Sequence, residues 1–306
     1  MQAPSAVVMV RPHHFSPNHE TAADNVFQTT VVESLSETNQ KAYDEVNGVI
    51  ETLSLAGVKV YPFDDKGTLT PDSVFPNNWF STHACGTLVT YPMYCQNRRL
   101  EINPVIIDKL ADEFFIERFV DYAHEADKQR YLEGTGAMVL DHDHKIAYAV
   151  RSNRLEESLF NEWCVELGYT PCIFNACDDN GVPVYHTNVL MCVANEFVLI
   201  GLDMITSLEE QAQVVNTIKA SGKQVITLST RQIYQFAGNA LEVNTPSGRA
   251  LIMSKTAVAS LTDSQKSLIE QFVKVIAVNI PTIEQAGGSI RCMLAGIHLT
   301  PRHQTK

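Results

Sequence analysis

A repeat with a period of about 50 residues constrains the fold of this chain more than any other feature. A helical pattern leads to a short apolar strand, then to a short polar motif, then to a strand or hairpin, and this order recurs along the 306 residues. One residue of each motif marks the period, at spacings of 55, 53, 53 and 53: Asn78, Glu133, His186, Asn239 and Cys292. Periods of this length are typical of propellers and other repeat architectures.

Each repeat carries a helix, which favours a ring of α/β units over a propeller built only of strands. Apolar residues recur at helical spacing in five segments, residues 39–57, 104–114, 155–168, 207–222 and 262–275. We therefore predict an α/β fold in which residues 1–306 form one catalytic domain of five repeats with five-fold pseudosymmetry. In such a ring, the five motif positions face one central channel.

Composition excludes several classes of protein. The formal charge of −12 argues against nucleic acid or an anionic membrane as a partner. No apolar run approaches the roughly 18 residues of a membrane-spanning helix. The chain has 7 cysteines and no CxxC pair, which indicates free thiols in a reducing compartment, and we predict the cytoplasm. The sequence DHDHK, residues 141–145, predicts a hairpin turn rather than a metal site, and no metal or cofactor is expected.

The repeat changes the interpretation of Cys292. A cysteine within an apolar run is usually a packing residue. Here the equivalent positions of the other four repeats are all polar, which a packed core does not explain. A cysteine and a histidine brought together beside a carboxylate form a typical nucleophilic site. We therefore predict Cys292, His186 and Glu133 as catalytic residues.

Five motifs in order carry a resemblance to a known family: VRPHHFSPN, FPNNWFSTH, LEGTGAMVLDH, YHTNVLMCV and GGSIRCMLAGIHL. They span nearly the whole chain and resemble the guanidine-modifying superfamily, whose fold is the five-bladed α/β propeller called the pentein. The closest resemblance is to the amidinotransferase-like branch that includes bacterial citrulline-utilisation hydrolases. It implies that Cys292 attacks a guanidino or ureido carbon. His186 would then be its cationic neighbour and proton donor, and Glu133 would bind the substrate nitrogens.

The resemblance also implies residues that bind substrate. Arg154, in RSNRLEES, resembles an arginine that would clamp the substrate α-carboxylate, although Leu155 departs from the family pattern. Asn25, in DNVFQ, resembles a substrate-contacting asparagine. Asn78 and Asn188 would contact the ureido group.

Arg11 is a weaker candidate than Arg154 for the substrate carboxylate. Asn239, in the fourth repeat, is given no catalytic role.

Three acidic positions of the related arginine deiminases are replaced here by Asn78, Gly136 and Asn188. A guanidinium is always charged at physiological pH and needs carboxylates when it is buried, whereas a ureido group is neutral. We therefore predict a citrulline hydrolase that forms ornithine, ammonia and carbon dioxide. An arginine dihydrolase or deiminase and an amidinotransferase remain alternatives, as does a non-catalytic ligand-binding propeller. Family members are often oligomers, so the resemblance leaves a homo-oligomer open.

Overall fold

The computed structural model describes residues 1–29 and 33–302. Within them, the strands form five three-stranded sheets. The strands are β1 (Ala6–Pro12), β2 (Lys59–Asp65), β3 (Phe80–His83), β4 (Thr87–Thr90), β5 (Arg118–Asp121), β6 (Met138–Asp141), β7 (Ile146–Val150), β8 (Thr170–Phe174), β9 (Met191–Val193), β10 (Phe197–Ile200), β11 (Gln224–Thr227), β12 (Leu241–Thr245), β13 (Gly248–Ser254), β14 (Lys274–Val278) and β15 (Ala295–Gly296).

The helices range from single turns to one of 21 residues. They are α1 (Leu35–Leu55), α2 (Gln96–Arg99), α3 (Pro104–Glu113), α4 (Gly134–Ala137), α5 (Glu157–Leu167), α6 (Thr187–Leu190), α7 (Leu208–Ala220), α8 (Thr230–Tyr234), α9 (Lys255–Ser260), α10 (Asp263–Glu270), α11 (Pro281–Glu284) and α12 (Ile290–Met293). Short 3-10 turns cover Pro76–Asn78, Ala123–Lys128 and Leu202–Met204.

All five sheets share one topology. An inner strand runs antiparallel to the middle strand, and the middle strand runs parallel to the outer one after a helical crossover. Four sheets use consecutive strands, but the first combines β15 from the end of the chain with β1 and β2. The α/β class and the five repeated units predicted from the sequence are thereby confirmed.

Local sequence explains where the long helices begin and end. Ser34 caps α1 in a capping box with Glu37, and four apolar residues of α1 are buried at helical spacing: Ala42, Val46, Val49 and Leu53. The helix predicted over 262–275 is too long, because it ends at Glu270 and the chain then pairs with β13 as β14. Pairing with a buried strand outweighs the helical preference of this segment.

The polar motifs precede the inner strands. Asn78 ends a 3-10 turn before β3, Glu133 and His186 cap the single turns α4 and α6, and Cys292 lies within α12 before β15. Asn239 lies two residues before the start of β12. The inner strands of successive units contact one another, as β6 contacts β9 and β9 contacts β12. Equivalent positions therefore meet at one end of these strands.

The DHDHK segment forms the predicted hairpin turn between β6 and β7. His142 of this turn packs inward, with its ring centroid 3.9 Å from that of His298. His83 lies near His142 and donates to or accepts from Ser81 at 2.9 Å. No helix in the described ranges is long and apolar enough to cross a membrane.

Because these histidines are buried, we expect the protein to lose stability in mild acid. Burial lowers the pKa of His83 to about 3 and that of His298 to about 4, whereas the ordinary value is 6.5. The unfolded chain therefore binds more protons than the folded chain once the pH falls below 6.5. Between pH 7 and pH 5, each such histidine should lower the free energy of unfolding by roughly 2 kcal/mol.

Urea denaturation at the two pH values measures this loss. His83→Gln, which cannot take up a proton, should reduce the difference between pH 7 and pH 5. Equal stability at both pH values in the unmodified protein would contradict the expectation.

Candidate active site

Two asparagine amides contact the sulfur of Cys292. Asn188 and Asn239 each donate from Nδ2 to Sγ at 3.3 Å. Asn239 is itself held by the Arg291 backbone N–H, which donates to its Oδ1 at 2.9 Å. Donors aimed at a sulfur stabilise its anionic form, which is the nucleophile. Asn239 therefore belongs to the site, although the sequence predicted no role for it. Asn188 contacts the same sulfur atom.

His186 and Glu133 form a buried pair, with Nε2 and Oε2 2.7 Å apart. Burial opposes ionisation of Glu133, but the Arg154 guanidinium and the His186 hydrogen bond hold the pKa of this carboxyl well below its usual range. Burial lowers the pKa of His186 to about 4, although Glu133 raises it. His186 is thus neutral at neutral pH, in contrast to the cationic neighbour expected from the resemblance.

This pairing determines which nitrogen of His186 can act as a base. An ionised Glu133 can only accept a hydrogen bond, so Nε2 carries the proton and donates it. Nδ1 then bears the lone pair. Glu133 is held in turn by the Tyr94 backbone N–H, 2.9 Å from Oε1. The arrangement is that of a general base with an orienting carboxylate.

Asn78 is oriented by a residue that sequence reasoning missed. Arg98 donates from Nη1 to Asn78 Oδ1 at 2.9 Å, and Glu101 holds Arg98 by two hydrogen bonds at 2.9 and 2.8 Å. The Oδ1 of Asn78 is therefore occupied, while its Nδ2 has no partner among the described residues. A Cβ at position 136 would lie 2.1 Å from this Nδ2 and 2.8 Å from the His186 ring. Gly136 is needed for both side chains to fit.

Asp72 is a second residue that the sequence did not single out. Its Oδ2 accepts from Asn18 Nδ2 at 2.9 Å, and the Arg98 Nε lies 3.7 Å away. Burial raises the pKa of Asp72. Its Oδ1 has no partner among the described residues. It is a buried acceptor available to a ligand.

The predicted carboxylate clamp, Arg154, is only 1% exposed and already carries two ion pairs. It donates to Asp24 at 2.6 Å and to Glu133 at 3.3 Å. Asn25 is held by Ala286, whose carbonyl accepts from its Nδ2 at 3.2 Å. Gly287, with φ +80°, makes room for it, because a Cβ there would lie 2.5 Å from the Asn25 amide.

One small cavity collects these groups, and Cys292, His186, Asn78, Arg154 and Asn25 all line it. Glu133 and Asn188 lie behind this wall, in contact with His186 and Cys292. The residues missed by the sequence, including Arg98, Asp72 and Tyr185, complete the lining.

The cavity has room for about one water molecule, so a larger ligand requires movement of the wall. Arg11 is elsewhere, paired with Asp64.

The five-sheet fold, with Cys292 and His186 lining one cavity, fits the guanidine-modifying superfamily that the resemblance predicted. Residues 11–299 match the family described as "N,N dimethylarginine dimethylhydrolase, eukaryotic". The chain belongs to this family. No curated protein matches its sequence significantly.

Three solved structures show the same fold at low identity. The N-terminal domain of ArgZ, an arginine dihydrolase from the ornithine-ammonia cycle in cyanobacteria, is 17% identical with a TM-score of 0.74, covering 95% of this chain and 97% of that one. AgrE with ornithine and NAD+ is 18% identical with a TM-score of 0.75, covering 98% and 40%. DDAH from Pseudomonas aeruginosa with citrulline is 14% identical with a TM-score of 0.65, covering 97% and 100%.

We expect an alkylating reagent to label one thiol of this protein, Cys292, selectively. Cys292 should react with 2-chloroacetamide faster than the exposed Cys85, because donors from Asn188 and Asn239 stabilise its anion and His186 can accept its proton. Burial raises the pKa of four other thiols to about 11 or 12, so these should react more slowly: Cys95, Cys164, Cys172 and Cys192.

Peptide mass spectrometry after timed labelling measures the rates. His186→Gln should slow labelling of Cys292 by about 100-fold and leave Cys85 unchanged. Faster reaction at Cys85 than at Cys292 in the unmodified protein would argue against a nucleophilic role.

Proposed function

We propose that this protein hydrolyses the ureido group of citrulline to ornithine, ammonia and carbon dioxide. One observation carries the proposal: the amide of Asn78 is fixed with its oxygen on Arg98 and its N–H₂ group unpaired. An unpaired N–H donor in the cavity favours a ligand that presents an acceptor. A ureido group offers a carbonyl oxygen, whereas a guanidinium offers only N–H donors.

The charges around the sulfur support a neutral substrate group. The amides of Asn188 and Asn239 contact Cys292 directly, and the nearest catalytic carboxylate, Glu133, is already compensated by Arg154 and His186. Glu133 therefore has no uncompensated charge to offer a guanidinium beside Cys292.

The first chemical step uses His186 as a base. Nδ1 takes the proton of Cys292, and the sulfur attacks the ureido carbon. The N–H of Asn78 stabilises the charge that develops on the carbonyl oxygen. The tetrahedral intermediate then collapses, and His186 returns the proton to the departing amine. Ammonia or ornithine leaves, and the carbonyl carbon stays bound to sulfur.

The second step uses the same base on water. His186 takes a proton from a water molecule, which attacks the carbonyl carbon of the S-carbamoyl intermediate and releases Cys292 as a thiolate. The carbamic acid formed decomposes to carbon dioxide and the remaining amine. One water is consumed for each citrulline, and the products are ornithine, ammonia and carbon dioxide.

The amino-acid end of the substrate has two candidate partners. Arg154 supplies a guanidinium for the α-carboxylate, in exchange for its contact with Asp24. The unpaired Oδ1 of Asp72 can accept from the α-ammonium group. These two side chains would select a free amino acid over a simple urea.

A second candidate is an arginine dihydrolase on the same scaffold. Two buried carboxylates, Asp72 and Glu133, lie at or beside the cavity and could compensate a guanidinium. ArgZ, a structural match, is an arginine dihydrolase. Deiminase and amidinotransferase activities would use the same thiol but end at other products.

We further propose that the five units close into a propeller and that the protein works in the cytoplasm. The pairing of β15 with β1 joins the two ends of the chain and supports closure. Seven free cysteines support a reducing compartment.

A substrate panel tests the reaction. With citrulline, the protein should form equal amounts of ornithine and ammonia, because each turnover releases one of each. With arginine, it should form neither ornithine nor citrulline at more than about 1% of that rate. Cys292→Ser should abolish product formation. Citrulline formed from arginine, or ornithine formed as fast from arginine as from citrulline, would overturn the proposed substrate.

A change of Asn78 tests the selectivity argument. Asn78→Asp replaces the unpaired donor by an acceptor, so kcat/KM for citrulline should fall about 100-fold while that for arginine rises relative to it. Asn78→Ala is the matched control, since it removes the donor without adding a charge. It should lower the citrulline rate without favouring arginine. An unchanged ratio of the two substrates in Asn78→Asp would refute this role.

A further inference from the structure

A second cavity lies next to the catalytic one, separated from it by the α12 turn. Cys292 lines the catalytic cavity, and the preceding residue, Arg291, lines the second one together with His142 and His298. The second cavity has a volume of about 40 Å³, which is room for about three waters. It is large enough for a small ion and too small for an amino acid.

Arg291 has no acidic partner in this cavity. Its Nη1 donates to the Leu294 carbonyl at 2.9 Å, and no ion pair of the described residues includes it. None of the described residues that line the cavity is aspartate or glutamate, although the chain carries a formal charge of −12. Desolvation lowers the pKa of Arg291, and the groups that raise it are the thiols Cys292 and Cys192.

Arg291 is half-buried, and its guanidinium has no ion-pair partner among the described residues. Of its five N–H donors, one is used by the protein, so the remaining donors are available on one planar group. A carboxylate or other oxyanion with two parallel acceptors matches the guanidinium fork and would compensate its charge. The rings of His142 and His298 add no negative charge to the wall.

We propose that this cavity binds a small inorganic oxyanion of bicarbonate size, with Arg291 as its principal partner. The room available admits a planar ion of three oxygens, and the absence of acidic lining residues leaves nothing to repel it. The site does not depend on which substrate the catalytic cavity accepts.

The anion would lie close to the nucleophile. The backbone N–H of Arg291 donates to Asn239 Oδ1 at 2.9 Å, and Asn239 Nδ2 donates to Cys292 Sγ at 3.3 Å. An ion that holds the Arg291 side chain thereby holds the turn on which the thiol is mounted. Occupancy should alter the position of Cys292 rather than block the catalytic cavity.

Thermal unfolding of Cys292→Ser in sodium bicarbonate or sodium nitrate tests the site without turnover. Sodium gluconate, whose anion is too large for the cavity, keeps the ionic strength constant. Both small oxyanions should raise Tm by about 2–4 °C at saturating concentration. Line broadening of ¹³C-bicarbonate in the presence of the protein should report the same binding directly.

Substitutions locate the ion. Arg291→Gln should remove both the Tm shift and the broadening, whereas Arg154→Gln, which alters only the catalytic cavity, should keep both. If Arg291→Gln does not fold, Arg291→Lys replaces it and should at least halve the shift, because lysine lacks the planar fork. No shift in the parent protein, an unchanged shift in the Arg291 variants, or loss of the shift in Arg154→Gln would each overturn the proposal.

Discussion

The buried carboxylate of Glu133 is the interaction on which the site depends. It is fully buried and accepts from His186, Arg154 and the Tyr94 backbone at once. An isolated carboxylate could not remain ionised there, so each partner is required for its charge. The same charge decides which His186 nitrogen keeps its proton. One buried anion therefore joins three segments that are distant in sequence and leaves Nδ1 of His186 free to act as the base of the proposed mechanism.

The period of the sequence accounts for much of this arrangement. Equal spacing predicted that Glu133, His186 and Cys292 would meet, and topology explains why, since each motif precedes the inner strand of its sheet. Helix-forming segments and hairpins were also predictable, because capping residues and apolar spacing are local signals. The overlong helix at 262–275 shows the limit of such signals, since pairing with β13 is a long-range contact.

The remaining site residues do not occupy the repeated motif positions, so the spacing of the sequence could not indicate them. Asp72 and Arg98 come from connecting segments, and their importance follows only from where the chain folds back. Arg98 matters most, because its hydrogen bond to Oδ1 leaves Nδ2 as the unpaired end of the Asn78 amide. Sequence could name Asn78 as a contact but could not say whether it donates or accepts. That distinction separates a ureido from a guanidino ligand.

The pairing of β1 with β15 has a consequence for how the protein is made. Val8 lies opposite Ala295, about 290 residues later in the chain, so β1 is synthesised long before its partner β15. Such distant partners slow folding and leave an unpaired strand edge in every shorter intermediate. Cys292, the proposed nucleophile, lies just before β15. A nascent chain therefore cannot place this thiol before the sheet that supports it is ready to be completed.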